Sequence, residues 1–451
     1  MSSFEIPLQP RWRSALFLVA LLAGCGLVAF EALRIGTAAT LGGSVDVLKL
    51  RRAVALDPAN PALHHRLGLF SFYALDNPLP SEGLRQLQLA TQLNGSIATY
   101  WVGLASAYDS IGDRSGAGAA FARAVALSPT TPRFHWLAGN YDLRTGQSAE
   151  AMSEFARLLS LVAQITARPD STAESDQYIP AVFELCLRAF NDPEAVFQKV
   201  ISPANSLKLK LAYAVHLCAQ HRIDPASRVW TETVANGSSF QFSLAEPYLD
   251  CLLSLGNYQR AENAWEDLVR LGVVRKPVAQ EGDNLVFNGS FEQSPLNSGF
   301  DWRCIQAPGY SIVFPDSDAY QGTRCLRLDF TLKQNVDYEP VVQIVPVLPR
   351  KTYLLKAYAR SADITSDSGP CLRVRDPANP SELDASSAVT VGTKPWNPIG
   401  LTFTTGADTQ AVRLSVWRAR SRSFPFEISG TFWLDAVSLK EADASAAGGG
   451  R

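Results

Sequence analysis

Cysteine and histidine are the side chains here best suited to redox, metal and acid–base chemistry, and the chain has seven and five of them. Cys186, Cys218 and Cys251 recur at intervals of 32 and 33 residues, each inside an apolar helical stretch: FELCLRAF, AVHLCAQH and YLDCLLSL. A redox or metal trio would use such a spacing. The competing reading is a small buried hydrophobe at one position of stacked helices. Helix axes about 8–10 Å apart hold thiols on neighbouring helices mostly out of bonding range, so the second reading is adopted. No C-x-x-C pair marks a zinc ribbon or thioredoxin centre, and seven Cys in 451 residues do not make a disulfide scaffold. His64 and His65 are read as packing or solvated residues of a helix. There is no G-x-S-x-G, no P-loop and no H-E-x-x-H. A net charge of −2, with Arg spread along the chain, argues against a nucleic-acid partner.

The elements that must position side chains begin with an apolar run. Residues 14–30, SALFLVALLAGCGLVAF, carry no charge and follow Arg11 and Arg13. This run reaches the short end of the bilayer-spanning range, with Trp12 as interfacial anchor. The two arginines predict a cytoplasmic N-terminus (1–13), a transmembrane signal anchor (14–34) and the bulk of the chain outside, on the periplasmic side of a bacterial inner membrane. A second reading stays open. Leu22-Ala23-Gly24-Cys25 resembles a bacterial lipobox, which would make Cys25 the lipidated first residue of a lipoprotein, although residues 26–30 after it stay apolar.

The heptad RAVALDP at 52–58 returns as RAVALSP at 123–129. The interval is close to two periods of about 34–36 residues, the length of a helical hairpin. The clearest unit starts at Ala98. Trp101, Leu104 and Tyr108 share one face of a first helix; Gly112-Asp113 turns the chain; Ala117 and Ala124 allow close approach of a second helix; Phe121 fills the seam; Pro129 ends the unit. Leu137, Tyr141, Gly146, Ala151 and Phe155 repeat the pattern, as do Leu255-Gly256-Asn257, Ala261, Trp265 and Leu268. Residues 171–176 look like an inserted loop. On these residues, the region 46–272 resembles the tetratricopeptide repeat family. The resemblance implies an all-α solenoid whose groove binds a protein partner. In the Ala98 unit the groove-facing places are Thr99, Val102, Ser106 and Asp109, and a Lys/Asn carboxylate clamp is not visible there. A purely structural spacer is the alternative for the array.

After a linker at 273–283 the pattern changes to period two. LRLDF, VVQIVPV, TYLLKAYAR, CLRVR, IGLTFTT, AVRLSVWRA and TFWLDAVSL read as half-buried strands of a β-sandwich. The motifs NLVFNGSFE at 284–292, G-x-x-x-L at 322–326, Gln343 with PRKTY at 349–353, Trp396 and WLDAVSL at 433–439 follow in order across 284–440. They resemble a carbohydrate-binding module with a galactose-binding-like jelly roll. The resemblance implies a structural calcium where the first and last strands meet, which would fall on Glu292 and Asp435. The alternative makes Glu292 a surface charge and Asp435 a strand-end hydrogen bonder. Sugar binding needs aromatic faces on one surface, and the candidates are Trp302, Tyr310, Tyr320, Tyr338 and Trp396. Trp417 and Trp433 sit within strands and are expected in the core. Cys304 and Cys325 are a candidate disulfide in an extracytoplasmic domain, with Cys371 left over; sequence does not settle the pairing. Three Asn-Gly-Ser triplets, at Asn94, Asn236 and Asn288, are read as turns rather than glycosylation sites. Residues 441–451 form a flexible tail.

The expected protein is therefore multidomain: one N-terminal transmembrane helix, an all-α repeat solenoid and an all-β jelly-roll sandwich. A repeat array plus a sandwich leaves no room for a usual catalytic barrel, so no enzyme activity is expected. Two functions follow. One is an adaptor in making, exporting or retaining a cell-surface polysaccharide, with a protein partner on the solenoid and glycan on the sandwich. The other is a protein-only assembly scaffold, for instance in secretion or pilus biogenesis.

Overall fold

The computed structural model describes residues 11–74, 78–166, 177–235, 237, 239–277, 282–333, 335–424 and 426–442. The expected cytoplasmic segment up to residue 10, the loop at 171–176, the Asn236 turn, linker residues 278–281 and the tail beyond 442 lie outside the described residues. The chain divides into two compact units, Met1–Ser206 and Leu207–Arg451.

The first unit opens with one unbroken helix, α1 (Arg11–Gly42), of 32 residues. At 1.5 Å per residue it is roughly 48 Å long, against about 30 Å of bilayer hydrocarbon. It is long and apolar enough to cross a membrane, a test that a signal sequence also passes. The apolar side chains from Leu16 to Phe30 stand exposed. Further along, Ala38 is buried against Ala53 and Leu63, so the same helix ends inside the first hairpin. Arg34 marks the change: its Nε meets Glu31 at 2.7 Å and its guanidinium also reaches the carbonyl of Leu56.

Helical hairpins follow: α2 (Val47–Leu56) packs on the end of α1, α3 (Pro61–Phe72) on α4 (Pro80–Leu93), α5 (Ala98–Ser110) on α6 (Arg114–Leu127), and α7 (Pro132–Arg144) on α8 (Ser148–Thr166). The turns are where the repeat pattern puts them. Gly112 and Gly146 adopt φ of 82° and 83° between the helices of their pairs, a conformation that other L-residues resist. Asp113 then caps α6 by accepting from the Gly116 N–H at 2.9 Å. Ala105, Ala117, Phe121 and Tyr141 form one seam. α9 (Tyr178–Phe190) and the short α10 (Pro193–Val196) complete the unit, the latter running into a π-helical turn, Phe197–Ile201.

The heptad repeated in the sequence ends in a shared hydrogen-bonding device. Nε2 of His64 lies 2.9 Å from the Pro58 carbonyl, and Nε2 of His135 lies 2.8 Å from the Pro129 carbonyl. Each ring thus pins the last residue of the preceding heptad. The other ring nitrogen faces Gln86 in the first copy and Glu154 in the second, at 2.6 Å in both.

The second unit holds α11 (Leu207–Ala219), α12 (Ile223–Val234), α13 (Glu246–Ser254), α14 (Tyr258–Arg270) and the β-sandwich. Cys218 of α11 and Cys251 of α13 are joined by a disulfide with Cα atoms 6.4 Å apart. This corrects the reading of both as apolar fillers. Equivalent positions on successive first helices face each other across the packing seam, and there the Cα separation is well inside the bonding range even where the axes are not. Cys186, buried in the first unit, keeps the expected role. Cys304 and Cys325, the pair expected from sequence, are both free thiols.

Two antiparallel five-stranded sheets make the sandwich. One has the order β1 (Arg303–Cys304), β4 (Tyr338–Pro346), β9 (Ala411–Arg418), β6 (Cys371–Arg375), β7 (Asp384–Ser386). The other runs β2 (Tyr310–Val313), β3 (Leu326–Leu332), β10 (Ile428–Glu441), β5 (Thr352–Ile364), β8 (Gly392–Thr404). Period-two alternation sends Val341, Val345, Leu372, Val374, Leu414 and Val416 inward from the first sheet. Leu326, Leu328, Phe330, Leu355, Phe432 and Leu434 meet them from the second. The sandwich also packs on the last helices. Trp265 of α14 meets Phe287 and Phe300 edge-on at 5.2 and 5.9 Å, and Asp250 of α13 takes bonds from Ser298 and Arg303 at 2.9 and 3.0 Å.

Candidate functional site

The five aromatic candidates separate in three dimensions. Trp302 is fully buried and donates its Nε1–H to the Asn288 carbonyl at 3.0 Å, so it is a core residue and is corrected as a ligand candidate. Tyr310 is also largely buried, with its hydroxyl bonded to the Ile305 carbonyl. Its ring stacks on Tyr338, centroids 5.0 Å apart. Tyr320 and Trp396 lie on a different surface. There Tyr320 stacks on Tyr358 at 3.7 Å, with Trp396 at 5.9 Å from Tyr320. Beside them Asn284, Ser290, Gln321 and Ser438 line a polar cavity of about 280 Å³. Asn288 has φ of 51° and is buried, with its amide bonded to the Gln293 backbone, which suits the turn reading of its triplet.

The outer face of the β4–β9–β6 sheet carries a row of polar and charged side chains. Alternation that buries Val412, Leu414 and Val416 turns Arg413, Ser415 and Trp417 outward on β9, and Cys371, Arg373 and Arg375 outward on β6. Their register sets Cys371 opposite Trp417, Arg373 opposite Ser415 and Arg375 opposite Arg413. Trp417, expected in the core, is half-buried here, with the Arg373 guanidinium 4.1 Å from its ring centre. Trp433 is covered on the outer face of the other sheet, by Arg360 at 4.6 Å and Arg327 at 5.9 Å. A strand position alone does not say which face a side chain takes, and the core face of β10 was already filled by Phe432 and Leu434.

A groove of about 580 Å³ runs along this face, walled by Tyr310, Tyr338 and Trp417 and by the charged row. Glu339 accepts from Arg375 at 2.8 Å and from Arg413 at 3.0 Å. Asp384 accepts from Nε of Arg373 at 2.7 Å. That bond holds the Asp384 carboxyl below its usual range and raises the Arg373 guanidinium. Ser415 Oγ, between Arg413 and Trp417, has no hydrogen-bond partner; Tyr338 Oη has none either, but its ring packs toward the core on Tyr310 and Phe330 near the buried Arg418, and burial raises its pKa. The sequence signal for this face was the alternation R-x-S-x-W on β9 with R-x-R on β6, which marks outward polar residues without saying that they converge.

Glu292 and Asp435 converge on one loop. Glu292 accepts from the Thr323 N–H, the Thr323 hydroxyl and the Arg324 N–H at 2.8, 2.7 and 3.1 Å. Asp435, fully buried, accepts from the Tyr320, Gln321 and Ala436 N–H groups at 2.8, 2.9 and 2.6 Å. Burial pushes the Asp435 carboxyl up to about 6, and the negative charge of Glu292 adds to the shift. Both carboxylates are held by backbone N–H donors, with one oxygen of each left at a single donor, the position a hard cation would take; among the described residues no cluster of three or more His, Cys, Asp or Glu side chains surrounds them.

In the first unit, Thr99 is exposed and Val102, Ser106 and Asp109 are half-buried along α5. Asp109 pairs with Arg144 of α7, which ties neighbouring first helices together across this surface. A separate cavity of about 800 Å³ is lined by Met152, Ala156, Arg157 and Ser160 of α8, by His135 and by Lys199 of the π-helical turn.

No family model matches the chain, and no curated protein sequence matches it. Solved structures similar to parts of it include a family 16 carbohydrate-binding module (21% identity, 35% of this chain and 99% of that one, TM-score 0.25). Others are the C-terminal family 22 carbohydrate-binding module of Clostridium thermocellum Xyn10B (15% identity, 36% and 97%, TM-score 0.27) and MamA (14% identity, 42% and 85%, TM-score 0.25). By its own elements the chain is a multidomain protein of helical hairpins followed by a β-sandwich, with one apolar N-terminal helix.

Proposed function

We propose that this protein is a non-catalytic, membrane-anchored adaptor whose β-sandwich binds glycan in the groove on the outer face of β4, β9 and β6. The observation that carries the reading is the groove itself: the Trp417 ring at its wall, a row of side-chain donors, and the buried Ser415 hydroxyl without a partner. Apolar sugar faces stack on such rings, and sugar hydroxyls satisfy such donors and acceptors. The helical array holds a protein partner over the surface of Thr99, Val102, Ser106 and Asp109. Helix α1 retains the chain at a bacterial inner membrane with its bulk in the periplasm, or Cys25 does so as a lipidated residue. The task is production, export or retention of a cell-surface polysaccharide. A structural calcium held by Glu292 and Asp435 fixes the 320–324 loop against the last strand.

Glycan-array binding by the full chain in detergent, with and without calcium, tests the proposal. Saturable binding that Trp417→Ala weakens, while Trp396→Ala does not, supports this groove. Weakening by Trp396→Ala alone moves the site to the Tyr320–Tyr358 surface. Absence of binding by a folded chain overturns the glycan reading. The packing of the sandwich on α13 and α14 favours the second reading in that event, a protein-only scaffold with the sandwich as a cap.

A further inference from the structure

The charge pattern of the proposed groove says which class of glycan it takes. Arg375 and Arg413 are directly opposite each other on β6 and β9. Like charges at such a position destabilise a sheet. Arg373 is two residues along the same face, so three guanidiniums crowd three adjacent sites. Four guanidiniums, those of Arg373, Arg375, Arg413 and Arg420, share three carboxylates, those of Glu339, Asp384 and Asp337. One positive charge is in surplus. The arginines are also far from spent as donors. Arg375 and Arg413 each give a single N–H group to Glu339, and a guanidinium has five. Folding gains little from a cation row that keeps one surplus charge on the outer face of a sheet, and conflicts of this kind concentrate where a ligand resolves them.

The unpartnered Ser415 hydroxyl is the second observation. It is 1% exposed and lies between Arg413 and Trp417 on the same face, opposite Arg373. A planar, doubly accepting anion placed there would take parallel N–H bonds from a guanidinium fork. Trp417, half-buried on the same face, would hold the ring that bears it.

We infer that the groove is selective for an acidic polysaccharide whose charge is a sugar carboxylate, a uronic-acid polymer. This rests on the proposal that the sandwich binds glycan in this groove. The carboxylate settles over Arg375 and Arg413, competing with Glu339 for their N–H groups, and the ring packs toward Trp417.

The test compares the full chain in detergent on oligogalacturonate, alginate oligosaccharide and hyaluronan with their methyl-esterified forms, which keep the ring and remove the charge. Neutral cello- and xylo-oligosaccharides and a sulfated glycan complete the set. At least one uronate should bind tenfold or more tightly than its ester, with affinity falling as salt rises. Arg375→Gln and Arg413→Gln should erase that preference while weak binding of the ester persists. Arg413→Lys should keep salt dependence and lose most of the discrimination. Equal binding of acid and ester, or binding of neutral glycans alone, overturns the inference and keeps glycan binding. Preference for the sulfated glycan over every uronate overturns the carboxylate. Binding to nothing on the panel overturns both readings. The acid–ester comparison uses the unaltered chain, so it stands even if an arginine variant fails to fold.

Discussion

The Cys218–Cys251 bond is the feature whose removal has the most calculable effect. It closes a loop of 33 residues around α12 and its flanking turns. In the chain-entropy account, a loop of that length lowers denatured-state entropy enough to contribute about 3.7 kcal/mol at 25 °C. With a urea dependence of about 3 kcal/mol/M, reduction should lower the unfolding midpoint by roughly 1 M. Urea unfolding of the full chain in detergent, followed by tryptophan fluorescence, reads this out, because Trp230 of α12 stacks on Tyr248 of α13 at 4.8 Å. Cys218→Ser with Cys251→Ser should reproduce the effect of reductant and then be insensitive to it. Cys186→Ser, elsewhere in the chain, should leave the response to reductant intact. Disulfides ordinarily form and persist in oxidising compartments, which supports the extracytoplasmic placement proposed above. The reasoning fails if both thiols are alkylated in folded, unreduced protein. It also fails if reduction leaves the midpoint within a few tenths of a molar.

Three further outcomes follow from the geometry. Burial opposes a charge on His135, but the Glu154 carboxylate and the Pro129 carbonyl outweigh it, because two acceptors call for two ring N–H groups, and the pKa is raised. The stability this contributes is fully present below the ordinary histidine value near 6.5 and is lost as pH rises through the raised folded value; Glu154→Gln should flatten that dependence, since the Gln86 amide already serves His64 as a neutral partner, and imidazole NMR titration checks it. Trp302→Ala should cost about 3–5 kcal/mol of sandwich stability, seen as lost cooperativity in thermal unfolding rather than as selective loss of ligand. Gly299 has φ of 60°, and a Cβ there would fall 2.2 Å from the Trp265 ring, so Gly299→Ala should loosen the seat of the sandwich on α14, measured as faster amide exchange in residues 296–304 and at Trp265.

Repeat period and strand alternation were legible in the chain because both are one-dimensional. Gly112 and Gly146 stand where a hairpin must turn, and their positive φ is what the residue type allows. RAVALDP and RAVALSP mark equivalent helix ends, and all seven long alternating runs became strands. The two-residue β1, the four-residue β2 and the three-residue β7 were not anticipated, because runs so short carry no period. Site residues were harder. Composition offered Trp302 as an exposed platform, and packing buried it with its N–H satisfied. Trp417 and Trp433 were assigned to the core for lying in strands, and each instead lies under arginine on an outer face.

The amino-acid sequence by itself therefore determined the order of parts: an apolar helix, helical hairpins at a regular spacing, then alternating strands. Periodicity is a local property, set by 3.6 residues per helical turn and two per strand repeat. Only the tertiary structure decided which distant side chains meet. Cys218 found Cys251 rather than Cys304 finding Cys325, because helix packing brought two Cα atoms to 6.4 Å. Arg375 came to face Arg413 through the register of β6 on β9, which is fixed by the core on the other side of the sheet. Charge and thiol chemistry act over a few ångströms, and at that range the fold sets the distances.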